Sequence, residues 1–293
     1  MKKLAGLIIL SACAMWAQAP ASKQVEVFGQ KIHYLEAGSG PNVILLHGLG
    51  ADATNWAMNT AVLAKNYHVL APDQIGFGES DKPMINYRVG TLVDFLDGFY
   101  KKVGIAKATV VGNSLGGWTA MAFTLAHPEK VERMVLVDSA GYSFEKLGGP
   151  RPTRELLEGL NPSTVEGTKA LVALILANKA MATNQVAEQF FAGHMKKNDG
   201  YTIDKFIDSI LRSEDVVDGK LGAIKVPTEI IWGREDALTP LASGQMLAKE
   251  IVGSEMVILD HCGHIPQFEC AGPFNETLTK FLASGAGQPT AQR

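Results

Sequence analysis

The chain has 293 residues, of which 46% are hydrophobic and 19% charged, a composition typical of a globular protein rather than a disordered or fibrous one. Its 27 basic and 30 acidic residues give a formal net charge of −3, which argues against a dedicated nucleic-acid binder because such proteins need an excess of positive charge. Three cysteines are too few for a disulfide framework, and no Cys/His spacing resembles a zinc site, so we predict no structural metal.

Residues 1–21 have the order of a secretory signal. Lys2 and Lys3 precede an apolar run at 4–10, and small residues follow as far as Ala21. The run is too short to span a bilayer as a helix. We therefore expect an exported protein, periplasmic or secreted, whose signal is removed.

The end of this segment allows more than one kind of processing. Small residues permit cleavage after Ala19 or after Ala21, and Pro20 disfavours the first of these sites. The stretch from Leu10 to Cys13 also resembles a bacterial lipobox, which would anchor the protein to a membrane through a lipid on Cys13. An uncleaved anchor is the third alternative.

The two remaining cysteines, Cys262 and Cys270, lie near the end of the chain. Export would place them in an oxidising compartment, where a disulfide can form. The simpler interpretation, two separately buried thiols, is favoured at this point.

The first elements predicted along the chain are two short alternating segments, 25–28 and 32–35, which indicate an antiparallel hairpin at a sheet edge. After them, short apolar runs alternate with amphipathic segments of helical length. This alternation is typical of a mostly parallel sheet with helices on both faces, an α/β fold. The apolar runs are 43–46, 69–70, 109–111, 134–137, 229–232 and 256–259. The helical segments are 56–65, 91–103, 115–127, 241–251 and 274–282.

The alternation stops at residues 140–224, which contain helical patterns and no convincing strand. The segment 171–177 is strongly apolar, and apolar residues recur at helical spacing between 186 and 195. We predict a helical cap here, between two parts of a core domain at 22–139 and 225–286, with a flexible tail at 287–293. A lid that lines a substrate pocket is favoured over extra covering helices, because the apolar faces need a surface beneath them.

A G-x-S-x-G motif at 112–116 follows one apolar strand and precedes a helical segment. In this context the serine, Ser114, lies on a sharp turn with its hydroxyl exposed, which is typical of a nucleophile. The N–H group of Leu115 begins the following helix and is a candidate donor to an oxyanion. The alternative is a glycine-rich turn needed only for packing.

An oxyanion hole needs a second donor, and the loop His47-Gly48-Leu49-Gly50 at the end of an earlier strand supplies one. We choose the N–H group of Leu49. His47 precedes the nucleophile and lies inside a turn, so we predict a structural hydrogen-bonding role for it. Asp73 is predicted to stabilise the turn that follows it by accepting N–H bonds.

A serine nucleophile needs a base and a carboxylate that orients the base. His264 follows the last apolar run next to a glycine and fits the base, with His261 as a weaker competitor. Asp236 follows the preceding strand and fits the carboxylate, and the resulting order of serine, aspartate and histidine is the one expected for this type of sheet. Asp138 is the alternative acid and Glu235 a weaker one.

Taken together, these motifs resemble the α/β-hydrolase superfamily over residues 25–282. The resemblance implies a central, mostly parallel sheet, a cap inserted after the sixth strand, and Ser114, Asp236 and His264 as the catalytic triad. The matching segments are His-Gly-Leu-Gly at 47–50, Asp-x-x-Gly-x-Gly-x-Ser at 73–80, Gly-Asn-Ser-Leu-Gly-Gly at 112–117, Trp-Gly-Arg-Glu-Asp at 232–236 and Cys-Gly-His at 262–264.

Within the superfamily, Ser114 stands where haloalkane dehalogenases and epoxide hydrolases carry aspartate, which argues against both. Asn113 and the Cys-Gly-His loop, together with polar and aromatic residues at 267–275, resemble the meta-cleavage hydrolases that split carbon–carbon bonds of ring-fission products. Two positions depart from that pattern. Ile265 replaces a tryptophan, and the cap segment 187–190 lacks an arginine that would pair with an acidic substrate.

From these features we predict a secreted serine carboxylesterase that acts on a small-molecule ester of a short or medium acyl chain and needs no cofactor. Carbon–carbon bond hydrolysis by the same triad is the first alternative. A non-catalytic protein that uses the pocket to bind a ligand is the second.

Overall fold

The computed structural model describes residues 19–284. Its centre is one sheet of eight strands in the order β1-β2-β4-β3-β5-β6-β7-β8. The first two strands form an antiparallel hairpin that pairs antiparallel with β4, and every other pairing is parallel. The strands are Ala21–Val27 (β1), Gln30–Ala37 (β2), Asn42–Leu46 (β3), His68–Pro72 (β4), Ala108–Asn113 (β5), Val131–Val137 (β6), Thr228–Gly233 (β7) and Glu255–Leu259 (β8).

Ten α-helices accompany the sheet within the described residues. They are Ala57–Leu63 (α1), Val89–Val103 (α2), Leu115–Ala126 (α3), Arg154–Glu158 (α4), Val165–Ile175 (α5), Asn184–Lys197 (α6), Gly200–Leu211 (α7), Leu241–Glu250 (α8), Pro266–Glu269 (α9) and Ala271–Ala283 (α10). The arrangement confirms the predicted α/β-hydrolase fold.

The sheet is buried on both faces, as the apolar runs predict. On β5, Val110 belongs to the larger hydrophobic cluster and its neighbour Val111 to the smaller one. Neighbouring side chains of a strand point to opposite faces, so these two clusters are the two sides of the sheet. Helices α2 and α3 cover the first face, and α10 covers the second.

The predicted elements are present, with shifts at their ends. The hairpin strands are longer than predicted and meet at Phe28 and Gly29, both with positive φ. The predicted helix at 56–65 is shorter in the structure, at Ala57–Leu63, and a short 3₁₀ turn at Ala53–Trp56, capped by Asp52, precedes it. Pattern alone does not locate such local turns.

The predicted insertion contains helices α4 to α7 and, within the described part of the chain, no strand. Hydroxyl side chains begin three of these helices: Thr153, Thr164 and Thr183 each accept an N–H bond from the first turn of α4, α5 and α6. The insertion follows the sixth strand, as the resemblance implies. The domain boundaries themselves stay predictions.

Among residues 19–284, no helix combines the length and the apolar character needed to cross a bilayer. The predicted signal segment lies outside the described residues except for 19–21, and the predicted tail at 287–293 lies outside them entirely.

Glu229 on β7 is an acidic side chain in the apolar interior, only 5% exposed. Burial, and then the carboxylate of Glu255 on the neighbouring strand, raise its pKa from 4.5 to about 7. The folded protein therefore binds this proton more tightly than the unfolded chain does. Stability contributed by the protonated group is present below pH 4.5 and is lost as the pH rises through 7.

We expect Glu229→Gln to raise the free energy of unfolding at pH 8 by roughly 1–2 kcal/mol and to change it little at pH 4.5. Urea unfolding at both pH values measures this difference. Glu255→Gln, at an exposed position, is the matched control and is expected to have the smaller effect. An equal increase in the free energy of unfolding for Glu229→Gln at both pH values would contradict a raised pKa for Glu229.

Candidate active site

Ser114 lies between β5 and α3 in a backbone conformation that few residues adopt, with φ 54° and ψ −116°. Its N–H group donates to the carbonyl of Val137 at 2.9 Å, which fixes the turn against β6. Gly112 and Gly116 lie so close that a Cβ on Gly112 would collide with the carbonyl of Gly116. The glycines of the motif are therefore required by the close approach of strand and helix, and the half-buried serine is left at the end of the sheet.

The loop after β3 lies directly against this turn. A Cβ on Gly48 would be 3.3 Å from Cβ of Ser114, so the backbone on either side of Gly48 borders the serine. The N–H groups of Leu49 and Leu115 donate to no other group among the described residues. Two free N–H groups beside one hydroxyl are the arrangement that stabilises an oxyanion.

His264 and Asp236 meet at the same end of the sheet. His264 Nδ1 lies 2.8 Å from Asp236 Oδ2, and both side chains are almost completely buried. The other carboxylate oxygen, Oδ1, accepts the N–H groups of Leu238 and Thr239 at 2.8 and 2.9 Å. The carboxylate is therefore fixed by its own loop and holds the imidazole with Nε2 free for a proton transfer.

Burial raises the pKa of Asp236, but the charge of His264 and hydrogen bonds from His264 and Thr239 outweigh it, so the pKa lies below the usual range. Thr239 Oγ1 lies 2.5 Å from Asp236 Oδ2 and 3.2 Å from His264 Nδ1. Sequence reasoning missed this threonine. Its position three residues after the aspartate is the signal that points to it, because a hydroxyl at that spacing reaches back to the carboxylate.

The third contact of the triad is not formed. Among the described residues, no hydrogen bond joins the hydroxyl of Ser114 to the ring of His264. The two loops are connected instead by Asn113, whose side-chain amide donates to the carbonyl of His264 at 3.0 Å. In enzymes without bound substrate, catalytic hydrogen bonds are often long or poorly aligned, so the proximity of the loops is compatible with proton transfer.

Asp138, the alternative acid, follows β6 and is completely buried. Its Oδ1 accepts the N–H group of Gly233 at 2.9 Å, and its backbone has a positive φ of 43°. Burial, and then the negative charge of Asp236, raise the pKa of Asp138 well above its usual range. Burial beside Asp236 therefore disfavours the ionised form of Asp138, and Asp138 makes no hydrogen bond to His264.

The other residues weighed in the sequence lie away from the reacting groups. His47 is fully buried, with Nδ1 donating to the carbonyl of Gly48 at 2.8 Å and Nε2 accepting the N–H of Gln74 at 3.0 Å, so it has the predicted structural role. Burial also lowers the pKa of His47. His261 points to solvent with 96% of its side chain exposed, and Glu235 accepts the N–H of Cys262.

The prediction that Cys262 and Cys270 are separate thiols is wrong. The structure joins them in a disulfide, with their Cα atoms 6.0 Å apart. The short helix α9 is the physical reason, because it folds the chain back after the His264 loop and brings residues eight positions apart into contact. The bridge closes a loop that contains His264.

The helical insertion contacts both loops of the site. Lys197 of α6 donates to the carbonyl of Gly50 at 3.1 Å and pairs with Asp52 at 2.9 Å, next to the Leu49 donor. At the other side, the N–H group of His264 donates to the carbonyl of Ile175, the last residue of α5, at 2.8 Å. The insertion thus lies over the end of the sheet that holds the candidate triad.

Glu269, one of the residues at 267–275 in which the chain resembles the meta-cleavage hydrolases, connects the insertion to the histidine loop, a role that the sequence did not predict. Its carboxylate accepts the N–H groups of Ala177 and Asn178, at 3.0 and 2.9 Å, on the insertion side. It also accepts the N–H group of Gly263 at 2.8 Å, directly before His264. The signal in the sequence is weak: an acidic residue next to a cysteine and five positions after the histidine.

We expect Glu269→Ala to destabilise the protein by about 2 kcal/mol, because it leaves three N–H donors without their charged acceptor. It is also expected to slow the reaction of Ser114 with a fluorophosphonate by about ten-fold, since His264 loses its position. Thermal unfolding and labelling rates measure the two effects. Glu269→Gln should restore part of each, and Glu276→Ala on the exposed face of α10 should change neither.

Comparison with known proteins agrees with this geometry. A family model described as "alpha/beta hydrolase fold" matches residues 41–271. The chain therefore belongs to the α/β-hydrolase fold family and is a hydrolase of that type.

Three similar proteins indicate a narrower class within this family. The chain is 32% identical to a 2-hydroxy-6-oxononadienedioate/2-hydroxy-6-oxononatrienedioate hydrolase of Cupriavidus pinatubonensis, over 87% of this chain and 91% of the relative. It is 29% identical to the 2-hydroxymuconate semialdehyde hydrolase of Pseudomonas sp. strain CF600, over 89% and 93%. Among solved structures, a meta-cleavage product hydrolase of Pseudomonas fluorescens IP01 has a TM-score of 0.80 at 29% identity, covering 89% of this chain and 97% of that one.

These relatives overturn the prediction of a carboxylesterase. They are named as hydrolases of ring-fission products, the class that sequence analysis kept as its first alternative. The error has a chemical reason: ester hydrolysis and carbon–carbon hydrolysis both need a nucleophile that attacks a carbonyl, so the same triad serves both. Ile265, the missing arginine at 187–190 and the export signal favoured an ester substrate, which is not the class for which the relatives are named.

Proposed function

We propose that this chain hydrolyses a carbon–carbon bond in a 2-hydroxy-6-oxo-dienoate, the class of compound that its relatives are named for. The observation that carries the proposal is the convergence of Ser114, the His264–Asp236 pair and two free N–H donors at one end of the sheet, in a chain similar to those relatives over most of its length. No cofactor is needed for this chemistry.

The bond to be broken joins carbon 5 to the carbonyl at carbon 6, and carbon is a poor leaving group. The dienol must therefore first become a ketone by moving its enol proton from the oxygen at carbon 2 to carbon 5. The electron pair released from the broken bond is then delocalised onto the oxygen at carbon 2. His264 is the residue placed to carry this proton, because Asp236 fixes Nδ1 and leaves Nε2 available.

The hydrolytic steps then follow ordinary acyl-transfer chemistry. Ser114 Oγ attacks carbon 6 and gives its proton to His264, while the N–H groups of Leu49 and Leu115 stabilise the oxyanion. Collapse of this intermediate breaks the bond between carbons 5 and 6. The leaving dienolate takes the proton from His264, and an acyl group remains on Ser114. Water, activated by His264, releases the acyl group as a carboxylic acid.

The test is a spectroscopic assay of a ring-fission dienol, whose conjugated chromophore is lost on cleavage. Wild-type protein is expected to remove the absorbance with multiple turnovers. A p-nitrophenyl ester of similar acyl size is the comparison substrate, and we expect its kcat/KM to be lower than that of the dienol. Turnover of the ester with no loss of the dienol would contradict the proposal.

We also propose that the protein is exported. The disulfide between Cys262 and Cys270 supports this, because disulfides persist mainly in oxidising compartments. Fractionation of cells that produce the full-length chain, followed by intact-mass analysis, tests it. Full-length mass with residues 1–21 in the cytosolic fraction would contradict it.

A further inference from the structure

A second Ser-His-Asp relay lies at the hairpin edge of the sheet, outside the candidate active site. Ser22 Oγ is 2.9 Å from His33 Nε2, and His33 Nδ1 is 2.8 Å from Asp73 Oδ2. His33 and Asp73 are buried, 6% and 2% exposed, whereas Ser22 is exposed at the start of β1. The relay therefore has a fixed interior and an accessible hydroxyl.

Strand register brings the three residues together. His33 of β2 is paired with Gln24 of β1, so Ser22, two positions away, lies on the same face as the histidine. Asp73 follows β4, and its N–H group donates to the carbonyl of His33 at 2.9 Å. Three neighbouring strands thus each contribute one member.

The buried part of this relay resembles that of the candidate active site. Asp73 Oδ1 accepts the N–H of Ala53 at 2.7 Å, and Oδ2 accepts the N–H of Glu79 at 2.7 Å, as loop N–H groups hold Asp236. Because the carboxylate of Asp73 faces Nδ1, that nitrogen of His33 is the donor in this contact. Nε2 is then the acceptor for the hydroxyl of Ser22.

We propose that Ser22 is an activated serine that accepts an acyl group from an activated ester or thioester. Oγ bonds to the acyl carbon, its proton passes to His33 Nε2, and the bond from that carbon to the leaving oxygen or sulfur breaks. The leaving group then takes the proton from His33. The carboxylate of Glu79, 4.0 Å from Nε2, adds a negative charge beside the transient imidazolium.

This site differs from Ser114 in one important respect. Ser22 lies in the extended strand β1, so it lacks the helix N-terminus that gives Ser114 the Leu115 donor. Loss of oxyanion stabilisation costs about 10²–10³ in rate for a single donor. Ser22 is therefore a slow acyl acceptor, and we expect it to be labelled about 10²- to 10⁴-fold more slowly than Ser114.

The experiment uses both the full chain and the chain that begins at Ser22, which cleavage after Ala21 would leave. Each carries Ser114→Ala and is treated with excess fluorophosphonate. In this reaction an oxygen–phosphorus bond forms at the serine and fluoride leaves. Intact mass and peptide mass spectrometry are expected to find one label, on Ser22, and none on Ser254, a half-buried loop serine whose hydroxyl donates to a carbonyl. Adding Ser22→Ala, at an exposed edge position, should remove the label without changing the melting temperature.

A second variant separates activation by His33 from ordinary surface reactivity. Ser114→Ala with His33→Gln keeps a hydrogen-bond donor toward Asp73 but has no base, and we expect labelling of Ser22 to fall about 100-fold. Unchanged labelling in this variant, shown to be folded by circular dichroism, would overturn the proposal. No label on Ser22 in Ser114→Ala protein after prolonged treatment would overturn it as well, whatever the outcome of the dienol assay.

Discussion

Replacing Ser114 with alanine is expected to lower kcat for the dienol by about 10⁴- to 10⁶-fold, because the reaction loses its nucleophile while binding is retained. The KM should change little. Steady-state assays at high enzyme concentration measure the residual rate, and an unchanged melting temperature shows that the variant is folded. Alanine and serine are equally strained at the positive φ of 54°, so we expect no large change in stability from Ser114→Ala.

A decrease in kcat of less than about ten-fold for Ser114→Ala would contradict a covalent role for Ser114. Ser139→Ala is the matched control, because Ser139 is buried in the loop after β6, close to Gly117, and has no contact with His264. We expect it to retain most of the activity.

The second large effect concerns the two neighbouring carboxyl groups. Asp236→Asn is expected to lower kcat by about 10³- to 10⁴-fold, because an amide can hold His264 in the wrong tautomer and cannot stabilise its positive charge. Asp138→Asn should lower kcat by less than about ten-fold, since Asp138 makes no hydrogen bond to His264 and asparagine has nearly the same shape. Measurement of kcat for both variants near neutral pH separates the two roles.

A larger decrease in kcat for Asp138→Asn than for Asp236→Asn would show that Asp138 is the acid that orients His264. The contact between Asp236 and His264 would then have another purpose. A further check is the pH profile of kcat. Because the pKa of Asp236 is lowered, protonation of Asp236 should cause no separate loss of activity near neutral pH.

Much of the fold was predictable because its elements are strongly patterned. The apolar runs on β3, β5 and β6 are buried on both faces, so they stand out as continuous hydrophobic segments. The nucleophile turn was predictable because its glycines are fixed by close backbone contact at Gly112 and Gly116. Both the buried strands and the nucleophile turn depend on residues that are close together in the sequence.

Features that depend on the order of strands were not predictable. Asp138 and Asp236 interact because β6 and β7 are adjacent in the sheet, although about a hundred residues separate them along the chain. The three strands that unite Ser22, His33 and Asp73 are likewise arranged by the sheet. The disulfide depended on a single short helix that no pattern indicated.

The substrate class was the least predictable feature. A triad specifies attack on a carbonyl but does not specify which atom leaves, and that choice is made by the groups that bind the rest of the substrate. We propose that the helical insertion, which contacts both loops of the site, supplies those groups. Its apolar periodicity predicted helices without indicating what they contact.

Identification of the products is the most direct test of carbon–carbon hydrolysis. Wild-type protein and a ring-fission dienol, mixed in water enriched in oxygen-18 and analysed by mass spectrometry, should give equal amounts of a carboxylic acid and a 2-hydroxydienoate. The heavy oxygen should be in the new carboxyl group, because water releases the acyl group from Ser114. Unchanged dienol under conditions in which a fluorophosphonate labels Ser114 completely would contradict the account.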